Sequence, residues 1–126
     1  MKVANKKEAY KRNHWCLLDT SFILSAIRNK IDFLDEIKNL GLTPIVPKQV
    51  LVELEGISKS KSEAELALKI INKVKKIDLK TKNTDAGIIK YAKNNKIIIA
   101  TLDKEIKNKT KNQKLIIRGK NKIEIS

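Results

Sequence analysis

An α/β sandwich with a mainly parallel sheet is the fold that this 126-residue sequence predicts. Three observations carry that reading. Short, unbroken apolar runs, "WCLLD" and "KIIIAT", alternate with segments whose apolar residues recur at helical spacing. Acids follow those runs where a strand would open to solvent, as Asp19 and Asp103 do. The length suits a single domain over residues 1–126, with chain enough for one core and too little for two.

Residues 1–13 are polar and basic and are expected to form a short helix or a loose arm. "WCLLD" is too short for a helix and reads as a first buried strand. "TSFILSAIRNK" follows with Phe22, Ala26 and Ile27 at helical spacing. A second helix, "DFLDEIKNLG", is expected to start at Asp32, with Asp35 completing a variant of the capping box and Gly41 ending it. "LTPIVP" is a strand hemmed in by Pro44 and Pro47, and Pro47 also suits the first turn of the next helix, "KQVLVELEGI".

From Ser62 to about Lys76, Ala67, Ile70, Ile71 and Val74 keep a helical stripe. "KIDL" is a brief strand. Thr84 is placed to cap a helix through "DAGIIKYAKNN", on which Ile88, Ile89 and Ala92 share a face. "KIIIAT" reads as a central strand buried on both sides, and "DKEIKNK" as a short helix. Residues 114–126, "KLIIRGKNKIEIS", close the chain as two strand-like pieces around Gly119 and Asn121, a hairpin by pattern. No repeat or low-complexity linker interrupts this order.

Composition narrows the classes of function. Charged residues make up 33% and aromatics 4%, so the core must rest on Ile, Leu, Val and Ala. No apolar run approaches the ~20 residues of a membrane-spanning helix. The N-terminus is basic, but its apolar stretch meets Asp19 with no small-residue cleavage site, which argues against a signal peptide. Cys16 stands alone, which excludes disulfide staples and cysteine-rich zinc sites and fits a reducing cytoplasm. The formal net charge of +14 is spread along the chain. A lysine-solvated surface is the plain account of it; a polyanionic partner is the sharper one, because releasing counterions from phosphates drives nucleic-acid binding. A membrane surface would need a basic amphipathic helix with a bulky aromatic face, and none is evident.

In open α/β sheets, ligands bind beyond the carboxyl ends of the strands. Asp19 and Asp103 each follow a strand there, and Asp85 opens the helix after "KIDL". Each has an ordinary explanation as a helix-capping acid. Glu53 separates the two accounts. On "KQVLVELEGI" it shares a face with Val50, Leu54 and Ile57, and an ionised carboxylate on a core-facing stripe costs several kcal/mol unless a cation meets it. A rim position reaching solvent is the alternative. Glu55 faces elsewhere, with Lys59 four residues on for a surface ion pair. Convergent carboxylates repel, a divalent cation relieves the repulsion, and oxygen-only donors select Mg²⁺ or Mn²⁺.

"LLDTSFIL", "VPKQVLVELEGI", "NTDAGIIKYA" and "IIIATLDKEIK" together resemble the four acidic motifs of PIN-domain ribonucleases, in order and over nearly the whole chain. "VP..VL.ELE.I", "ATLDKEIK" and the ending "IIRGKNKIEI" are more similar to the archaeal and eukaryotic branch that processes small-subunit ribosomal RNA than to the toxin branch. The resemblance implies a three-layer α/β/α fold and a site of Asp19, Glu53, Asp85 and Asp103 holding one or two Mg²⁺ or Mn²⁺ ions. It gives Thr101 the part of a hydroxyl that helps hold the site, and Ser21 a polar part where many members have Asn. Relatives often carry a second acid directly after the third motif's Asp; here Ala86 takes that place, which leaves less negative charge for a second ion.

The implied chemistry is hydrolysis of an RNA phosphodiester, leaving 5′-phosphate and 3′-hydroxyl ends. A bound divalent ion lowers the pKa of its water and neutralises charge on the phosphate, and two ions ~3.5–4 Å apart clamp attacking and leaving oxygens. No Ser–His or Cys–His pair is required; the only histidine, His14, is expected to be structural or at the surface, and Cys16 a small core residue. Arg28 and Lys104 are candidate phosphate contacts, with a solvated surface role equally open. Trp15 is expected in the core, while Tyr10 and Tyr91 are further aromatics that a base would stack on. Expected partners are RNA, a ribosomal precursor above all, with ribosome-assembly proteins and a second copy of the chain left open. The rivals are a toxin-type ribonuclease, a catalytically silent RNA-binding module and, lower, a receiver-like signalling domain, in which an inward Glu53 has no place.

Overall fold

The computed structural model describes residues 14–119 and 121–126; the basic arm expected over 1–13, with Tyr10, lies outside them. Among the described residues, the first strand β1 (Trp15–Leu18) is followed by helices α1 (Thr20–Arg28) and α2 (Phe33–Asn39). Strand β2 (Thr43–Pro47), helices α3 (Lys48–Ser58) and α4 (Ser62–Ile70) and strand β3 (Lys75–Ile77) come next. The chain ends with α5 (Thr84–Asn94), β4 (Ile98–Ala100), α6 (Lys104–Lys109), β5 (Lys114–Arg118) and β6 (Lys122–Ile125).

The six strands form one sheet in the order β3-β2-β1-β4-β5-β6. All neighbours are parallel except β6, which runs antiparallel to β5 in the expected hairpin. The chain winds outward from β1 to β3, then returns to place β4 on the other side of β1. The gap between β1 and β4 is therefore a topological switch point.

Alternation along the central strands builds the three layers. Cys16 and Leu18 join one buried cluster while Leu17, between them, joins the other; Ile98 and Ala100 divide from Ile99 in the same way. Helices α1 to α4 cover the first face through Phe22, Ile23, Phe33, Ile37, Val50 and Leu54. Helices α5 and α6 cover the second through Ile88, Ala92 and Ile106. A sheet covered on both faces needs continuous apolar strands, which is why "KIIIAT" shows no polar alternation. No helix among the described residues is long and apolar enough to cross a membrane.

Most element boundaries match the sequence pattern, with three corrections. The helix expected through Lys76 ends at Ile70, and β3 starts at Lys75, one residue ahead of "KIDL". Ile71 is fully buried and Val74 packs on the same cluster, so the apolar stripe continues through a turn and imitates a longer helix. Lys76 Nζ donates to the carbonyls of Ile71 (2.8 Å) and Asn72 (3.2 Å), satisfying that turn. Thr84 does not cap α5: Asn83 does, accepting from Ala86 N at 2.9 Å, and Thr84 is buried. Pro47 closes β2 and stands at the cap position of α3, ahead of its first turn. Asp32 does cap α2, accepting from Asp35 N at 3.3 Å, and Gly41 ends that segment at φ +78°.

Gly87 sets how closely α5 approaches the loop that follows β3. A Cβ there would lie 2.6 Å from Thr81 Cγ2 and 3.0 Å from Leu79 Cβ. On an unpacked helix, Gly→Ala adds ~1 kcal/mol. Gly87→Ala is instead expected to cost about 1–3 kcal/mol, seen as a lower urea midpoint. A midpoint at or above that of the unaltered protein would mean the contact yields freely.

Candidate active centre

The carboxyl ends of β1 and β4 lie side by side. Leu18 pairs with Ala100, and Asp19 N donates to the Ala100 carbonyl at 2.9 Å, carrying the ladder one step past both strands. Asp19 and Thr101 thus leave the sheet together at the switch point. Thr101 Oγ1 donates to Asp19 Oδ2 at 2.7 Å and accepts from Asp103 N at 3.0 Å. Ser21 Oγ donates to the same Oδ2 at 3.2 Å and accepts from Leu102 N at 3.0 Å. Each hydroxyl accepts from a backbone N–H of the β4–α6 link and donates its own hydrogen bond to Asp19. Thr101 and Ser21, the two hydroxyls named from the sequence, both bond to Asp19.

The capping explanation divides the acids. Asp19 stands at the cap position of α1, yet its side chain makes no capping hydrogen bond. Asp85 is inside the first turn of α5, whose cap is Asn83. Asp103 does cap α6, its Oδ1 accepting from Ile106 N at 3.1 Å, so one of its oxygens is engaged and Oδ2 remains. Capping fully accounts for none of the three.

Glu53 requires a correction. It is exposed at the rim and does not face the core; Val50 and Leu54 bury the stripe of α3 without it. The desolvation cost expected for it therefore does not arise. Its Oε1 nevertheless accepts from Thr20 Oγ1, which directs the carboxylate toward the start of α1 beside Asp19.

The sequence reading also missed a fifth acid. Glu105, in the first turn of α6, comes together with Asp85 and Asp103, their carboxylate oxygens all lying within 4.8 Å of one another. Its spacing after Asp103 in "TLDKEIK" was the available signal, since a residue two positions into a short helix turns toward whatever flanks the helix start. Glu105 also pairs with Lys109 at 3.0 Å, an ordinary exposed i,i+4 contact.

The acids press on one another electrostatically. Burial pushes the Asp85 carboxyl above the usual 3.8, and Asp103, Asp19, Glu53 and Glu105 all push it further. The Asp19 carboxyl is also raised, first by burial, against the hydrogen bonds from Thr101, the Thr20 backbone and Ser21, with Glu53 adding to the rise. Five carboxylates thus share one end of the sheet, with Asp85, Asp103 and Glu105 the tightest group. Oxygen-only donors under mutual repulsion fit a hard divalent cation such as Mg²⁺ or Mn²⁺. Burial pushes the Cys16 thiol up to about 12, which suits its place in the core and removes it from ligand chemistry.

The two candidate phosphate contacts differ. Arg28 is occupied by an ion pair with Glu63 at 3.3 Å. Lys104 is exposed at the start of α6, next to Asp103 in sequence. His14 and Trp15 lie at the opposite end of β1 from Asp19, with ring centroids 4.6 Å apart.

An acidic centre at the switch point of a three-layer, mainly parallel α/β sheet fits a nuclease domain. Residues 16–120 match the family model described as "PIN like domain", and the chain belongs to this PIN-domain family of nucleases. It is 32% identical to Ribonuclease VapC4 of Methanocaldococcus jannaschii, across 85% of this chain and 92% of that protein. The fold is similar to the structure of the PIN domain endonuclease Utp24, with a TM-score of 0.77 at 21% identity, covering 91% of this chain and 92% of the other.

Two stability measurements test this arrangement. Thr101→Val removes a donor from a buried carboxylate and an acceptor from Asp103 N, and is expected to cost about 1–3 kcal/mol in denaturant unfolding. Thr101→Ser, which keeps both bonds, should retain most of that stability. Asp85 supplies the second test through pH. Because its folded-state value is raised, its contribution is complete below the ordinary 3.8 and is lost as pH rises through the folded-state value. In metal-free protein at about pH 7, Asp85→Asn is expected to melt ~2–5 °C above the unaltered protein, the gap closing toward about pH 3. A gap that does not change with pH would mean the carboxylates do not crowd.

Proposed function

We propose that the chain is a divalent-metal-dependent endoribonuclease that hydrolyses RNA phosphodiesters. The observation that carries this reading is the meeting of Asp19, Glu53, Asp85, Asp103 and Glu105, from four separate stretches of the chain, at one end of the sheet. Asp85, Asp103 and Glu105 are the residues that would hold Mg²⁺ or Mn²⁺, with Asp19 and Glu53 completing the acidic wall. When bound, such an ion activates water and neutralises charge on the phosphate.

The side chains prepare the site for that task. Thr101 and Ser21 fix the Asp19 carboxylate, so its position is set before substrate arrives. Capping of α6 holds Asp103 in one orientation and engages only one of its two oxygens. The acids repel RNA at short range, and the surrounding lysines supply the long-range attraction. Lys104, beside Asp103, is placed to meet a phosphate next to the one being cut; Arg28 would first have to leave Glu63.

Ribosomal precursor RNA is the substrate this reading favours, on the strength of the motif wording in "VPKQVLVELEGI" and "ATLDKEIK". A toxin-type ribonuclease is the second reading, and its support is the 32% identity to Ribonuclease VapC4. Growth arrest on expression, relieved by a neighbouring gene, would favour the second.

The deciding assay incubates purified protein with ribosomal precursor RNA in Mn²⁺ or EDTA. Cleavage is expected only with Mn²⁺. Asp19→Asn and Asp103→Asn should each lose more than about a hundredfold in rate, beyond the effect of losing a supporting residue at a metal site, while binding RNA as well or better. Glu105→Gln should raise the Mn²⁺ concentration required by about tenfold. Cutting that survives in both Asp variants would end the proposal.

A further inference from the structure

The end of the sheet opposite the acids carries the reverse charge. A groove of about 440 Å³ there is walled by Trp15, Tyr91, Lys75 and Lys96. It runs on past Asn95 into a second hollow of about 420 Å³ that adds Lys93 and Lys111. Among the described residues, no carboxylate lines either hollow, and none of the ion pairs involves these four lysines. All four are exposed. In a chain with 14 acidic residues, a continuous cationic surface free of them is suited to a polyanion.

The aromatic groups narrow the ligand further. Trp15 is half-buried, one side packed on the apolar cluster of the second sheet face, and Lys75 Nζ stands 5.3 Å from its ring centroid. A planar base can replace the ammonium over the indole while the lysine turns to the adjoining phosphate, a pairing of stacking and charge that tolerates any sequence. Only an unpaired strand offers such a base face, because bases in a duplex are stacked and inaccessible. Asn95 and Asn112 stiffen the floor between the hollows: Asn95 Nδ2 donates to the Tyr91 carbonyl at 2.9 Å, and Asn112 Nδ2 to the Ile97 carbonyl at 3.0 Å.

We propose that this groove is an accessory site for single-stranded RNA, holding a segment of the substrate away from the bond that is cut. The inference rests on the reading of RNA as the substrate. The groove lies one strand length from the acids, about 13 Å from Trp15 to Asp19 at ~3.3 Å per residue. It therefore adds affinity without bringing lysines into the metal site.

Trp15 is the only tryptophan, so its fluorescence reports on this groove. The experiment titrates the full chain, in EDTA, with a single-stranded oligoribonucleotide, following Trp15 emission and RNA anisotropy together. Saturable quenching that tracks the anisotropy and weakens with salt is expected. The double variant Lys96→Glu/Lys111→Glu should raise Kd about tenfold or more and flatten the salt dependence by ~0.7 per lost contact. Lys38→Glu/Lys69→Glu, equal in charge change but on exposed positions of helices over the other face of the sheet, should alter Kd less than about threefold. RNA binding without quenching, equal losses in the two double variants, or no binding at all would overturn the proposal. Asp19→Asn separates it from the catalytic reading: quenching should persist there with cleavage lost, and cleavage that persisted would sink the catalytic assignment alone.

Discussion

Repulsion among carboxylates at the ends of β1 and β4 is the constraint on which the rest of this structure depends. Folding brings Asp19, Glu53, Asp85, Asp103 and Glu105 to one place although each would be better solvated apart. The Thr101–Asp19 hydrogen bond at 2.7 Å is what makes the arrangement tolerable at its most buried point. It gives a charge that is only 5% exposed a donor stronger in effect than one at the surface, because the surrounding dielectric is low. Thr101 itself is fully buried, held by the backbone of Asp103, so the donor cannot swing away. The opposition of burial and hydrogen bonding at Asp19 is a local balance set by two hydroxyls.

That constraint also explains how charge is divided over the molecule. With 28 basic against 14 acidic residues, the chain is a polycation carrying a concentrated acidic spot. A nuclease for RNA faces contradictory demands, since ligands for a cation must be anionic while the substrate is anionic too. Separating the two along β1 reconciles them. The acids occupy the carboxyl ends of the strands, and the acid-free lysine groove lies at the amino ends. Long-range attraction follows the net charge, and on the proposed reading a bound cation would offset the local repulsion.

Much of this was legible in the sequence because the strands are buried on both faces. An unbroken run such as "KIIIAT" has few alternative placements, and a parallel sheet then dictates where the following residue emerges. Asp19 and Asp103 could be located from that rule, whereas Thr101 was named only through the resemblance to PIN-domain ribonucleases. Glu53 was placed at the right end of the fold for a mistaken reason. Its neighbours Val50, Leu54 and Ile57 define an apolar stripe, but a residue at the margin of the stripe can turn outward, and periodicity does not resolve that margin. The end of α4 was hidden for a related reason: Ile71 and Val74 keep helical spacing while belonging to a turn. Asn83 was passed over as a cap in favour of Thr84 because the two are adjacent and chemically alike. What decides between them is which residue leaves helical dihedrals, a backbone property.

Glu105 shows how one acidic group draws on two helices. Ala86, exposed on the first turn of α5, occupies the place where an additional acid was expected beside Asp85. The first turn of α6 packs against that of α5 closely enough to bring the Glu105 carboxylate to within 4.8 Å of Asp85 and Asp103 oxygens. The first turn of α6 thus sets an acid beside Asp85, and the trio carries a density of negative charge that a single helix would not provide. Glu105 sits on a longer side chain, at the surface, with Lys109 competing for the same carboxylate. Its carboxylate therefore serves both the Lys109 ion pair and the acidic trio. On the proposed reading, a cation bound here would compete with Lys109 for the Glu105 carboxylate.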